Sequence, residues 1–208
     1  MYYTLRKKKS NIKYRSIIYA LLFGVILGLV AKLVDVPEIT SVVPIFDDLF
    51  GRFGIWIFTA TLLSVFSNKP IHAAIKVFSF FVSMLITYYT YTILFLGFFP
   101  KTQMILWGSI ALISPICAVV MWHAKENKCS ADIFAALPIV AMCTEWYITG
   151  FENILLLMIY LCMVICLLIC VSKEVKRCLL IILISAVMTA LLIKTGFIEL
   201  IYIKLLNI

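Results

Sequence analysis

The stretch Val77–Phe99, VFSFFVSMLITYYTYTILFLGFF, runs for 23 residues without a charge. A helix rises 1.5 Å per residue, so this one reaches about 35 Å, enough to cross a hydrocarbon core of roughly 30 Å. It is also unusually polar for a span. Lys76, Ser79, Ser83, Thr87 and Tyr91 step by three and then by four, which lines them along one helix face. Tyr88, Tyr89, Thr90 and Thr92 widen that face at one end. A lipid-facing helix would not carry such a stripe, so it faces protein or a wet cavity. Either the hydroxyls bond back to carbonyls and hold helices together, or they line a solute pocket with the aromatic rings.

The rest of the chain has the same character. Of 208 residues, 64% are hydrophobic and 13% are charged, and the mean hydropathy is +1.13. Soluble domains average about 45–50% apolar and about 25% charged. These values exclude a secreted disulfide scaffold, a disordered tail and an ordinary cytosolic enzyme. Six further stretches read as spans: Ser16–Val34, Phe53–Ser67, Met104–Trp122, Ile133–Thr149, Asn153–Val171 and Cys178–Ile193. The second and the last of the seven are short. The fold class is therefore all-α, a polytopic transmembrane helix bundle of about seven spans, with six as the lower count. Residues 1–15 form a basic segment, and residues 16–208 form one membrane domain. The segment Phe197–Ile208 either prolongs the last span or lies at the interface. The first span reads as permanent, since no small-x-small cleavage site follows it.

Charge sets the orientation. With the N-terminus in the cytoplasm, that side holds Arg6, Lys7, Lys8, Lys9, Lys13, Arg15, Lys69, Lys76, Lys125, Lys128, Lys173, Lys176 and Arg177, 13 of the 18 Lys and Arg. The outer side holds Lys32, Arg52, Lys101, Lys194 and Lys204. The positive-inside rule favours this arrangement. The basic run at the N-terminus sets topology or touches anionic lipid, and no nucleic-acid partner is implied. Trp56, Trp107, Trp122 and Trp146 all fall near span ends, where amphipathic rings prefer the headgroup level.

Few features carry chemistry. Ala20, Gly24, Gly28 and Lys32 step by four, a small-residue ridge ending in a charge. It either packs on another span of the chain or docks a membrane protein partner. Lys32 lies within a turn of Asp35. Pro115 and Pro138 interrupt two spans and each frees a backbone carbonyl. Glu145, near the outer end of its span, is the strongest single candidate, because a carboxylate there is costly without a partner. The candidate solute-facing set is Glu145, Tyr88, Tyr91, Thr87 and Ser83, placed between the third, fourth and fifth spans. Between Asp35 and Arg52, the residues Val42, Ile45, Phe46, Leu49, Phe50 and Phe53 recur at helical spacing, with Asp47, Asp48 and Arg52 opposite. This predicts an amphipathic helix on the outer surface, with Pro44 in its first turn.

Cys162, Cys166 and Cys170 share a helix face and read as a packing stripe. No zinc spacing, nucleophile motif or phosphate-binding loop occurs, so neither a metal nor a cofactor is implied and the chain reads as a non-enzyme. Transport-associated handling of a small solute and a non-catalytic docking role through the first span are the two leading readings.

GLVAKLVD around Lys32, GIWIFTATLLSVFS in the second span, AAIKVFSFFVSMLITYYTY in the third, GFFP before Lys101 and SPICAVVMWHAK around Pro115 together resemble a family of small multi-spanning membrane proteins from Gram-positive bacteria. The resemblance covers roughly residues 28–138. It implies a bacterial plasma-membrane location and no activity, and it transfers no functional residue. Size and the small-residue ridge also resemble the substrate-binding subunits of energy-coupling-factor vitamin transporters. Those have six spans and both termini inside, from which seven spans would depart.

Overall fold

The computed structural model describes residues 14–36, 40–42, 44–126, 129–150, 153–172 and 174–196. The basic segment before Tyr14 and the stretch 197–208 lie outside the described residues. Eight helices are present among the described residues: α1 Tyr14–Val34, α2 Pro44–Gly51, α3 Phe53–Val65, α4 Pro70–Leu96, α5 Lys101–His123, α6 Cys129–Thr149, α7 Ile154–Val171 and α8 Val175–Lys194. There is no strand among the described residues. Six of the helices are long and apolar enough to cross a membrane. The seventh expected span, α3, has only 13 residues and follows α2 across a 60° bend.

The chain divides into two compact units. The first combines the described residues up to Gly51 with Leu63–His123, and the second combines Arg52–Leu62 with the described residues from Ala124 onward.

In the first unit, α1 packs along α4. The ridge makes this possible. Ala20, Gly24, Gly28, Ala31 and Lys32 are its buried positions. A Cβ built on Gly24 would stand 2.3 Å from the Phe80 carbonyl oxygen, and one on Gly28 would stand 2.5 Å from the Met84 carbonyl oxygen. The two backbones are therefore closer than any side chain would allow. Ser83 ties the seam, donating to the Leu21 carbonyl oxygen at 2.9 Å. Leu21 and Gly24 meet Phe80 and Ser83, Gly28 meets Met84, and Asp35 meets Tyr88. Residue numbers rise together, so α1 and α4 run parallel.

Parallel neighbours constrain the path. Both helices start on one face of the bilayer, so the chain that leaves α1 on the far face must return before Pro70. Among the described residues the segment between them holds α2 and α3, a bent pair that is apolar enough to serve as a broken span. Counted so, the candidate spans number seven, and six without it.

Local sequence explains the boundaries. Pro44 opens α2, as its fixed φ suits a first turn. Pro70 does the same for α4, which begins seven residues ahead of the apolar run at Val77. Gly97, with φ of 68°, ends α4 in the left-handed conformation that glycine tolerates. At α1, Thr40 Oγ1 donates to the Val34 carbonyl oxygen at 2.6 Å and satisfies an end the helix leaves open. Pro115 cannot donate to Ala111; Ser114 Oγ donates to that carbonyl oxygen instead, at 2.8 Å.

In the second unit, α6 packs with α7 and α8. Arg177 in the first turn of α8 pairs with Asp132 in the first turn of α6 at 2.6 Å and donates to the Ala124 and Glu126 carbonyl oxygens. The two helices thus start on one side, with α7 crossing back between them. The cysteine face of α7 is not its packing face. Cys162 is exposed and Cys166 and Cys170 are half-buried, while Leu156, Tyr160, Met163, Leu167 and Val171 are buried. Bulkier side chains make that contact. Trp56 is buried in this unit, while in the first unit Trp122 donates its indole N–H to the Ser67 carbonyl oxygen at 2.9 Å.

Two predictions follow from the seam and the path. Gly28→Leu should lower stability in detergent by about 1–3 kcal/mol through forced separation of α1 and α4. Gly108→Ala, with nothing within 4 Å, should be neutral or slightly stabilising in the same thermal unfolding assay. In a cysteine-free background, a cysteine at the exposed position Asn68 should label from the side that holds the N-terminus, and one at Gln103 from the opposite side. The reverse pattern would mean that α2 and α3 do not cross.

Candidate functional site

Beyond Gly28 the α1–α4 seam turns polar. The next residue on the ridge is Lys32, and its side chain is long where the previous three were small. It is only 3% exposed. Burying an ammonium requires a partner, and Lys32 has two. Its Nζ lies 2.5 Å from Asp35 Oδ2, one turn further along α1. It also sits 4.8 Å from the centre of the Tyr88 ring, within range of a cation–π contact. Tyr88 closes the triangle, its O–H donating to the same Asp35 oxygen at 2.6 Å. Asp35 Oδ2 thus accepts two bonds, while Oδ1 accepts none from the described residues, on a side chain that is 41% exposed.

This triad borders a cavity of about 220 Å³. Lys32 and Asp35 contribute from the end of α1, Tyr88 and Thr92 from α4, and Phe98, Pro100 and Gln103 from the turn into α5. Phe98 and Gln103 are exposed, so that wall faces outward. The site combines a few directed polar groups with an aromatic wall, the usual composition of small-molecule pockets. Asp47 on α2 lies within electrostatic reach of both Asp35 and Lys32.

The polar stripe of α4 divides into two parts. Ser83 bonds to the carbonyl oxygens of Leu21 and Phe80, and Thr87 donates to the Ser83 carbonyl oxygen at 2.9 Å. The Ser83 hydroxyl joins α4 to α1, the Thr87 hydroxyl bonds within α4, and neither lines this cavity. Thr92 likewise donates to the Tyr88 carbonyl oxygen at 2.9 Å, yet it lines the cavity. Tyr91 stacks on Phe95, with ring centres 4.5 Å apart, and is not part of the wall. Of the solute-facing candidates on α4, only Tyr88 borders the cavity. Lys32, offered by the sequence as the end of a packing ridge, is the residue the site is built around. Asp35, Thr92, Phe98 and Gln103 were not singled out as site members. The Lys32-Asp35 spacing was the one available signal, because i,i+3 places both on one helix face.

The ridge Ala20, Gly24, Gly28 is taken up by α4 of the same chain. Docking through this helix would use its other face, where Leu22, Phe23 and Ile26 are exposed.

Glu145 belongs to the second unit and does something else. Its Oε1 accepts the Phe53 backbone N–H at 2.5 Å, and its Oε2 accepts the Gly54 N–H at 2.8 Å. Tyr160 from α7 donates its O–H to Oε2 at 2.9 Å. Arg52 donates to Thr149, one turn along α6 from Glu145. Glu145 therefore caps α3 at its first turn, where N–H groups have no helical partner and a negative charge is favoured. Gly54 is buried there because a Cβ would stand 2.4 Å from the Tyr160 hydroxyl oxygen. Both carboxylate oxygens accept hydrogen bonds from the protein itself, so in this structure Glu145 acts as a helix cap.

No family model, curated protein or solved structure matches the chain.

Glu145→Ala should leave two backbone N–H groups and the Tyr160 hydroxyl without an acceptor, at a cost of about 3 kcal/mol or more. Glu145→Gln keeps one carbonyl oxygen and should lose less. Denaturant or thermal unfolding of both variants reads the difference, and wild-type stability in Glu145→Ala would rule out the capping role.

Proposed function

We propose that this is a transport-associated protein of a bacterial plasma membrane that takes up a small polar solute in the cavity at the outer ends of α1 and α4. The observation that carries this reading is Lys32, a cation buried to 3% exposure, paired with Asp35 under the Tyr88 ring at the edge of a cavity of about 220 Å³. Ionisable groups within membrane helices are rare and commonly mark substrate or ion pathways. A purely structural bundle gains little from a buried ion pair, since apolar packing of similar volume is often as stable.

Sidedness supports an outer opening. With seven crossings and the N-terminus inside, 13 of the 18 basic residues face the cytoplasm. A six-crossing path reverses every loop after Arg52 and leaves nine on each side. The positive-inside rule separates the two. The cavity then lies at the face opposite the basic segment. The Gram-positive resemblance is consistent with this placement. Nothing in the site suggests bond-breaking chemistry, and the reading is non-enzymatic.

Native mass spectrometry of the gently solubilised protein, with release of small molecules, tests the reading. Wild-type protein should carry a bound small molecule that is lost in Lys32→Gln and weakened in Tyr88→Phe. Gly108→Ala should retain it. A bare wild-type chain, or equal occupancy in all four proteins, would overturn the assignment.

A further inference from the structure

Charges of both signs meet at the cavity. Lys32 lines it as a cation at 3% exposure, and Asp35 lines it with a side chain 41% exposed. Asp47, on α2, which packs against α1, lies within electrostatic reach of both. A ligand in the cavity therefore meets a buried ammonium and a more exposed carboxylate.

We infer that the cavity selects a small zwitterion of amino-acid size, bound with its carboxylate toward Lys32 and its ammonium toward Asp35. This rests on the reading of the cavity as a solute site. The argument is one of charge balance. Lys32 and Asp35 form a neutral pair in a poorly solvated place. A singly charged ligand would bring an unbalanced charge there, and desolvating it is costly. A zwitterion brings none, and its dipole lies antiparallel to that of the pair. The open valences match. Among the described residues Asp35 Oδ1 accepts no hydrogen bond, and it is an acceptor suited to an ammonium. Lys32 Nζ has three N–H donors and, among the described residues, one carboxylate partner, Asp35, which leaves a donor for a ligand carboxylate. Thr92 and Gln103 supply neutral polar contacts, and Phe98 and Pro100 form the apolar side of the wall. The volume suits a side chain of a few heavy atoms, not a nucleotide or an oligosaccharide.

Calorimetric titration of the full chain in lipid nanodiscs tests this. The panel is glycine, L-alanine, L-serine and L-valine, with propionate and ethylamine as singly charged counterparts. At least one zwitterion should bind about tenfold or more tightly than both counterparts, which is one decade in Kd. That preference is read on the wild-type protein, so it survives a variant that fails to fold. Lys32→Gln and Asp35→Asn should each lower the zwitterion affinity by about tenfold, and Asp35→Asn should remove the preference over propionate. Propionate or ethylamine binding as tightly as the zwitterions would overturn the inference and leave the solute reading standing. Failure of the whole panel at millimolar concentration would also overturn it. The solute reading would then be decided separately by whether native mass spectrometry finds a bound molecule of another class.

Discussion

The close parallel contact between α1 and α4 is the constraint on which the first unit depends. Gly24 and Gly28 let the α1 backbone lie against Phe80 and Met84 with no side chain between. In lipid, apolar burial gives no drive to bring helices together, so close packing and interhelical hydrogen bonds must do it. The Ser83 bond to Leu21 adds the second of these. Parallel packing then dictates the rest of the path. The chain has to return across the bilayer between α1 and α4, and the bent α2–α3 segment is the part available for it.

A bent crossing carries its own difficulty. Breaking a helix exposes N–H groups, and hydrocarbon offers no partner for them. The first turn of α3 meets this with Glu145, whose carboxylate takes the Phe53 and Gly54 N–H groups together, and with Tyr160, whose O–H donates to the same carboxylate and holds it in place. A carboxylate in that position reads as a functional residue from sequence alone, because intramembrane charge is costly. The cost is offset here by structure, through three hydrogen bonds and a helix N-terminus. Arg177 and Asp132 use charge in the same way, fastening the starts of α6 and α8.

The sequence revealed the spans because hydropathy over about 20 residues is a bulk property that needs no partner. It revealed α2 through its 3.6-residue period and Pro44. It missed the start of α4, since Lys76 and His72 interrupt the apolar run and only Pro70 marks the first turn. Glu145 was legible as unusual and illegible in role, because its partners lie 91 and 92 residues away in one direction and 15 in the other. The Lys32–Asp35 pair was legible as a local i,i+3 contact. Its third member was not, as Tyr88 stands 53 residues from Asp35 in a run of six similar aromatic and hydroxyl residues. Which hydroxyl of a stripe faces a cavity depends on where the neighbouring helix stops touching it.

That last dependence also explains why a cavity exists at this place. Ala20, Gly24 and Gly28 keep α1 and α4 in contact, and each step of four returns to the same seam. The fourth member of the series is Lys32, whose four-carbon stem cannot fit where a glycine fits. A polar contact takes over at that step, with Lys32 against the Tyr88 ring and Tyr88 bonded to Asp35, and Tyr88 and Thr92 are the α4 residues that line the cavity beside it. Gly97 then ends α4, and Phe98 and Pro100 complete the cavity's edge. Packing and polarity are coupled at this point: the regular ridge of small residues gives way to a long cationic side chain, whose ammonium is buried only because the carboxylate and the ring stand within its reach.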